Sequence, residues 1–281
     1  MLLGAHVSIA GSIDRSVDRA KELQCTTFQI FTRNPRGWRA SKLKDDEVDA
    51  FKRKVYEARY EVVIAHMPYL PNISSPLKVG WTKSVNVLID ELERCELLGI
   101  QYLVCHIGSH MGRGVEVGIA QVSKAVDLAI ERVSPRCMVL LENMAGQRNS
   151  TGSKFEDINK ILSKIQHGDR VGVCLDTCHL LAAGYDVRTS EAIERTLSKF
   201  DEVVGLKRMK VVHLNDSKGK LGSSLDRHEH IGLGEIGEEG FRSFINNPMI
   251  RDLPMIIETP EDEIADYYDD LAVLRRLYKN H

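Results

Sequence analysis

Short apolar or β-branched runs alternate along this chain with longer amphipathic segments. The runs fall at 2–7, 27–31, 62–66, 102–106, 138–142, 171–176, 209–215 and 255–258. They have the length and residue types of buried strands. Between them lie stretches of helical period at 12–23, 45–58, 82–98, 115–133, 155–165, 190–200, 238–246 and 264–278. Ser12 and Ser190 stand where helix N-caps belong. Eight strand–helix units in series predict a parallel sheet, and eight such strands predict closure into an α/β, (β/α)8 TIM barrel. An open doubly wound sheet is the alternative, but no G-x-G-x-x-G follows the first strand. Neither a linker, a low-complexity segment nor a charge block divides the chain, so residues 1–281 are expected to form one domain.

The predicted strands end in a pattern. The third ends on His66, the fourth on His106, the fifth on Glu142, the sixth on Asp176 and the eighth on Glu258, while the seventh carries His213. In a barrel, the C-terminal ends of the strands form the face on which active sites are built. One histidine at a strand end is more often a satisfied polar residue than a ligand. Six ligand-type side chains on six consecutive strands are another matter. Carboxylates buried together are costly unless cations neutralise them. Imidazoles mixed with carboxylates are the donor set of a divalent metal site, zinc above all.

The loops beyond the strands add donors. His179 follows Asp176 by three residues in LDTCH, so a helical turn would bring both to one site. Asp226 and His228 form a D-x-H whose side chains share one side of an extended loop. The total is nine donors, enough for three ions if one carboxylate bridges. His6 ends the first strand without a visible partner on the second and is read as structural. His110, His167 and His281 are read as solvated, and His230 is left out of the site. The glycines of HIGLGEIG read as a turn, since no Lys-Ser/Thr follows them.

Composition narrows the picture further. With 43% hydrophobic and 28% charged residues, the 281-residue chain has the balance of a globular protein. A net charge of −2 does not announce a nucleic-acid partner, so any such partner must be held by a local basic patch. The six cysteines form no C-x-x-C and read as buried free thiols, Cys174 and Cys178 included. The N-terminus lacks the layout of a signal peptide and no run is long enough to span a bilayer, so a cytoplasmic location without membrane contact is expected. No apolar stripe calls for an obligate partner, and a monomer is expected.

The phrases around these residues resemble the endonuclease IV family of apurinic/apyrimidinic endonucleases. The matching segments are HVSIAGS, FTRNPRGW, HMPYLPN, CHIGSH, LLENMAGQ, CLDTCHLLAAGYD, HLNDSKG, DRHEHIGLGEIG and IIETP, running from Leu3 to Pro260. The resemblance implies three zinc ions per chain. His66, His106 and a bridging Glu142 would hold the first. Glu142, Asp176, His213 and Glu258 would hold the second, and His179, Asp226 and His228 the third. Mn²⁺ or Fe²⁺ is compatible with one of these positions. The activity implied is hydrolysis of the phosphodiester 5′ to an abasic site in double-stranded DNA, leaving a 3′-hydroxyl and a 5′-deoxyribose phosphate, with trimming of blocked 3′ ends besides. Glu142 would then act as the catalytic bridging ligand that orients a metal-bound hydroxide, and no separate protein nucleophile is assigned.

The same resemblance implies that Arg36, Tyr69 and Leu70 enter the minor groove and fill the space left by a flipped abasic nucleotide. Apolar wedges and arginine kink a duplex, and a missing base lowers the unstacking cost. Arg33 and Arg39 flank Trp38 in the same basic loop. Arg113, Arg148, Lys218 and Lys220 lie in other loops of this face as candidate phosphate contacts. The rival reading is a metal-dependent sugar isomerase or epimerase on a similar barrel. Glu142, Asp176, His213 and Glu258 alone would serve it, leaving five further donors and the wedge unexplained. A non-catalytic DNA-binding role leaves the whole donor set unexplained.

Overall fold

In the computed structural model, described over residues 1–278, the chain alternates strand and helix as the hydrophobic pattern predicts. The strands are β1 (Leu3–Ala5), β2 (Phe28–Phe31), β3 (Val63–His66), β4 (Tyr102–His106), β5 (Met138–Glu142), β6 (Val171–Asp176), β7 (Met209–His213), β8 (Asp216–Ser217), β9 (His228–Glu229) and β10 (Met255–Ile257). Eight of them form one parallel sheet in the order β1-β10-β7-β6-β5-β4-β3-β2. A parallel bridge from His6 to Gln29 joins its two ends. There the Val7 amide donates to the Gln29 carbonyl at 2.8 Å. Gly4 makes this seam possible, because a Cβ at that position would lie 1.7 Å from the Thr27 carbonyl oxygen. The remaining pair, β8 and β9, is a short antiparallel ribbon in the loop after β7.

The helices are α1 (Arg15–Glu22), α2 (Asp45–Glu57), α3 (Lys78–Leu98), α4 (Val115–Val133), α5 (Phe155–Lys164), α6 (Thr177–Ala183), α7 (Ser190–Val203), α8 (Gly237–Ile245) and α9 (Tyr267–Leu277). The short α6 is an addition to the predicted set. Its N-cap is Asp176 itself, whose carboxylate accepts from the His179 amide at 2.8 Å. Two predicted caps fall elsewhere. The N-cap of α1 is Asp14, with Ser12 Oγ donating to its carboxylate at 2.5 Å, and α7 is capped by Thr189.

The barrel interior shows why the strand ends matter. Ile64, Val104, Leu140, Cys174, Val211 and Ile256 form one closed, fully buried cluster. Each stands two residues before His66, His106, Glu142, Asp176, His213 or Glu258. Side chains on a strand repeat every second residue, so the polar ring is the next interior layer above an apolar plug. The intervening residues, such as Ala65, Cys105, Leu141, Leu175 and Ile257, face outward into the larger core against the helices.

One loop at the rim is anchored by buried charge. Arg33 is only 4% exposed and pairs with Glu91 and Asp90 on α3, so it is a structural residue and not part of the exposed basic loop. Thr32 Oγ1 donates to Glu91 at 2.7 Å, and Arg94 donates to Thr32 Oγ1 at 2.9 Å and to the Ser41 carbonyl at 2.9 Å. The network fixes the segment between β2 and α2. Glu91→Ala would leave Arg33 and Arg94 without their central anion, and breaking a buried pair this way costs about 3–5 kcal/mol. Urea unfolding of the variant should show that loss. A change below about 1 kcal/mol, the range of exposed pairs, would show that the network contributes little.

Candidate metal centre

All nine predicted donors converge on one place, at the C-terminal mouth of the barrel. They make up three groups whose donor atoms lie within 4.8 Å of one another: His66, His106 and Glu142; Glu142, Asp176, His213 and Glu258; and His179, Asp226 and His228; a fourth such group joins Asp176 and His228 to Cys178. Glu142 is common to two of them. Its Oε2 lies 3.2 Å from His66 Nε2 and 3.1 Å from His106 Nε2, while its Oε1 lies 3.1 Å from His213 Nδ1. Strand register accounts for part of this arrangement, since His106 is level with Glu142 and Asp176 with His213. The third group depends on α6 for His179 and on the β8–β9 ribbon for Asp226 and His228. His179 Nε2 stands 3.1 Å from Asp226 Oδ1.

The imidazoles are oriented in a consistent way. His66 Nδ1 donates to the Met67 carbonyl at 2.6 Å, His179 Nδ1 to the Asn143 carbonyl at 2.8 Å and His228 Nδ1 to the Glu258 carbonyl at 3.0 Å. Carbonyls only accept, so each of these nitrogens carries a proton and each Nε2 turns inward toward the carboxylates. His228 Nε2 is buried without a hydrogen-bond partner among the described residues, 3.6 Å from Asp226 and 3.8 Å from Asp176. Pinning one ring nitrogen to the protein while the other faces the site is how metal-ligating histidines are held.

Electrostatics points the same way. Glu142, Asp176 and His213 are fully buried, and Glu258, Asp226, His106 and His228 largely so. Burial alone would push the Glu142 carboxyl up, but His106 and His213 outweigh it and hold the group well below the usual range. Burial likewise opposes ionisation of Asp226, yet its bond to His179 and the charges of His179, His228 and His106 bring it down to about 2. The same attraction acts on the imidazoles. Burial disfavours a charged His179, but Asp176, Asp226 and Glu142 raise it to about 10. Without a cation, the ionised carboxylates of Glu142 and Asp226 are matched by charge on His106, His179 and His213, all three raised by their carboxylate neighbours. Divalent ions would take over that role by displacing those protons, and the inward ring nitrogens and shared carboxylate fit them.

A cleft of about 270 Å³ opens over these donors, lined by Tyr69, His106, His179, Asp226, Arg227, His228 and Glu258. Tyr69 and Leu70 are half-exposed at its rim, with the Tyr69 ring 5.6 Å from both His66 and His106. Arg36, Arg39, Arg113, Arg148, Lys218 and Lys220 are exposed in loops of this face. Lys218 is partly engaged, 3.5 Å from Glu229.

Several residues here escape sequence reasoning. His6 is not remote from the site. Its Nδ1 is 3.2 Å from Glu258 and 2.9 Å from Gln29 Nε2, so the second strand does supply a partner. Asn215 donates to Asp176 at 2.6 Å and accepts from the Glu258 amide at 2.7 Å, joining two donors. Asp216 accepts from the amides of Ser217, Gly232, Gly234, Ile236 and Gly237, which folds HIGLGEIG around one carboxylate. The Asn and Asp of HLND, directly after His213, were the available signal. His230 is buried, bonded to Asp270 and Asp262 at 2.9 and 3.2 Å, and so belongs to the scaffold. His110 and His167 are half-buried rather than freely solvated: His110 accepts from the Gly114 amide, and His167 lies 3.7 Å from Glu131. His281 lies outside the described residues. All six cysteines are buried and free.

Comparison with known proteins identifies the family. A family model described as a xylose isomerase-like TIM barrel matches residues 17–277. A probable endonuclease 4 of Methanoculleus marisnigri is 50% identical over 278 residues, covering 99% of each chain. The crystal structure of endonuclease IV from Thermus thermophilus superimposes with a TM-score of 0.88 at 37% identity, covering 99% of this chain and 98% of that one. A D-tagatose 3-epimerase-like protein shares the fold at a TM-score of 0.75 but only 19% identity, covering 99% of this chain and 97% of that one. Matched from end to end to these relatives, the chain belongs to the endonuclease IV family of the xylose isomerase-like TIM barrels.

Proposed function

We propose that this protein is a DNA-repair endonuclease that hydrolyses the phosphodiester 5′ to abasic sites in double-stranded DNA, with three zinc ions, working as a cytoplasmic monomer. The observation that carries the reading is the gathering of nine donors into three groups, two of which share Glu142. A one-metal sugar isomerase would need only Glu142, Asp176, His213 and Glu258. It has no use for the other five donors. The names of the full-length relatives, endonuclease 4 and endonuclease IV, support the nuclease reading.

In this reading His66, His106 and Glu142 hold the first ion, Glu142, Asp176, His213 and Glu258 the second, and His179, Asp226 and His228 the third. Ions so held supply Lewis-acid activation of water and neutralise charge that builds on the phosphate. The protein's part is to fix the donors. Glu142, with one oxygen toward each neighbouring group, sets the spacing between them. The apolar plug beneath excludes water from the floor, which strengthens every electrostatic interaction above it. Tyr69 and Leu70 at the rim and Arg36 in the neighbouring loop fill the gap left by an extruded abasic nucleotide. Exposed Arg113, Arg148, Lys218, Lys220 and Arg227 hold the phosphate backbone. The incision leaves a 3′-hydroxyl, and the same site trims blocked 3′ ends.

The deciding assay uses a duplex carrying one abasic analogue. The protein should nick it on the 5′ side, lose activity when its metal is stripped and regain it with zinc. Full-rate cutting by stripped protein would contradict the reading. Glu142→Gln removes the shared charge while keeping the shape, and kcat should fall at least ~10²-fold, as when one electrostatic stabiliser is lost. Circular dichroism should report an intact fold, and activity within about threefold of wild type at full metal content would remove Glu142 from the bridging role.

Recognition is tested separately from chemistry. Replacing Tyr69 and Leu70 together by Ala should lower the preference for abasic over intact duplex by about tenfold, or ~1.4 kcal/mol. Metal content should not change. Anisotropy titrations on matched duplexes measure this, and an equal loss on both duplexes would make the two residues ordinary contacts.

A further inference from the structure

We infer that Gln29, on β2, is a positioning residue that fixes His213 and Glu258 as a pair and sets which nitrogen of His213 serves as a ligand. The inference rests on the three-ion reading above. Gln29 is fully buried among the donors, although its own amide is a poor zinc ligand. Its side chain touches both residues at once. Nε2 lies 2.7 Å from Glu258 Oε1, and Oε1 lies 2.9 Å from His213 Nε2.

Donor and acceptor chemistry then leaves one arrangement. The Glu258 carboxylate only accepts, so the amide NH₂ of Gln29 must face it. The Gln29 carbonyl therefore faces His213 Nε2. A carbonyl also only accepts, so that nitrogen must carry a proton. A metal would therefore displace the other proton, the one that Nδ1 shares with Glu142 Oε1 at 3.1 Å, and bind at this atom, which also faces Glu258 Oε2 and Asp176 Oδ2 at 3.3 and 4.0 Å. His66, His179 and His228 present Nε2 instead and are pinned by backbone carbonyls. For His213 a side chain from β2 takes the place of that carbonyl. The second amide hydrogen of Gln29 points toward His6 Nδ1 at 2.9 Å, which ties the β1–β2 seam to the same group.

Gln29→Leu keeps the volume and removes both hydrogen bonds. Outer partners of metal ligands are worth about 10–100-fold in metal affinity. Titrating metal-stripped protein with zinc against a chromophoric chelator should show three tight ions in the wild type. In the variant, two should remain tight and one should weaken by about that factor. Three ions at wild-type affinity in the variant would overturn the inference while leaving the three-ion reading intact. Fewer than three in the wild type would instead overturn that reading. Should the variant fail to fold, ¹⁵N–¹H correlation of the zinc-loaded wild type decides alone. His213 must show a protonated Nε2 and a metal-bound Nδ1, and the opposite tautomer would refute the assignment.

Discussion

The constraint on which this structure depends is the concentration of four carboxylates, Glu142, Asp176, Asp226 and Glu258, at the mouth of an apolar barrel. Ions moved from water into such surroundings are strongly penalised unless matched by opposite charge and hydrogen bonds. The fold answers with five imidazoles interleaved among the carboxylates and with amide side chains from Gln29, Asn143 and Asn215 bonding the donors and the backbone around them. The plug of Ile64, Val104, Leu140, Cys174, Val211 and Ile256 keeps the floor dry. That dryness makes the match obligatory, because an unpaired charge cannot borrow water from below.

From this constraint follows the division of labour along the chain. The strands supply the donors whose positions must be rigid: His66, His106, Glu142, Asp176 and His213 all close a strand. The third group is built on secondary features. Asp176 caps α6 and thereby turns His179 inward, while Asp216 gathers five backbone amides so that the ribbon carrying His228 has one shape. His230, two residues on, is drawn away from the site by Asp262 and Asp270. Neighbouring histidines thus take opposite roles because different carboxylates claim them.

Much of this was legible in the sequence, for an identifiable reason. The period of two along a strand links each ligand to the apolar residue two places before it, so VVIAH, YLVCH and MVLLE announce both layers at once. Eight such units implied the barrel. What stayed hidden depends on contacts between distant segments. His6 looked isolated because its partner Gln29 is a neutral amide on the strand across the seam. Arg33 looked like part of a basic patch because its partners, Asp90 and Glu91, arrive on α3. The helix starts at Asp14 and Thr189 differ from the predicted serines because several capping residues compete within a few positions. Distantly similar sugar-epimerase-like barrels share the scaffold, so the fold alone could not decide the chemistry.

The central claim is that this mouth holds three ions, with one carboxylate shared between two of them. Diffraction from crystals grown with zinc, collected on both sides of the zinc absorption edge, tests it most directly. The account predicts three anomalous peaks. One lies between His66, His106 and Glu142, one among Glu142, Asp176, His213 and Glu258, and one between His179, Asp226 and His228, with Glu142 touching the first two. A single peak in the four-donor group, with the remaining histidines bound to water or carboxylate, would contradict it.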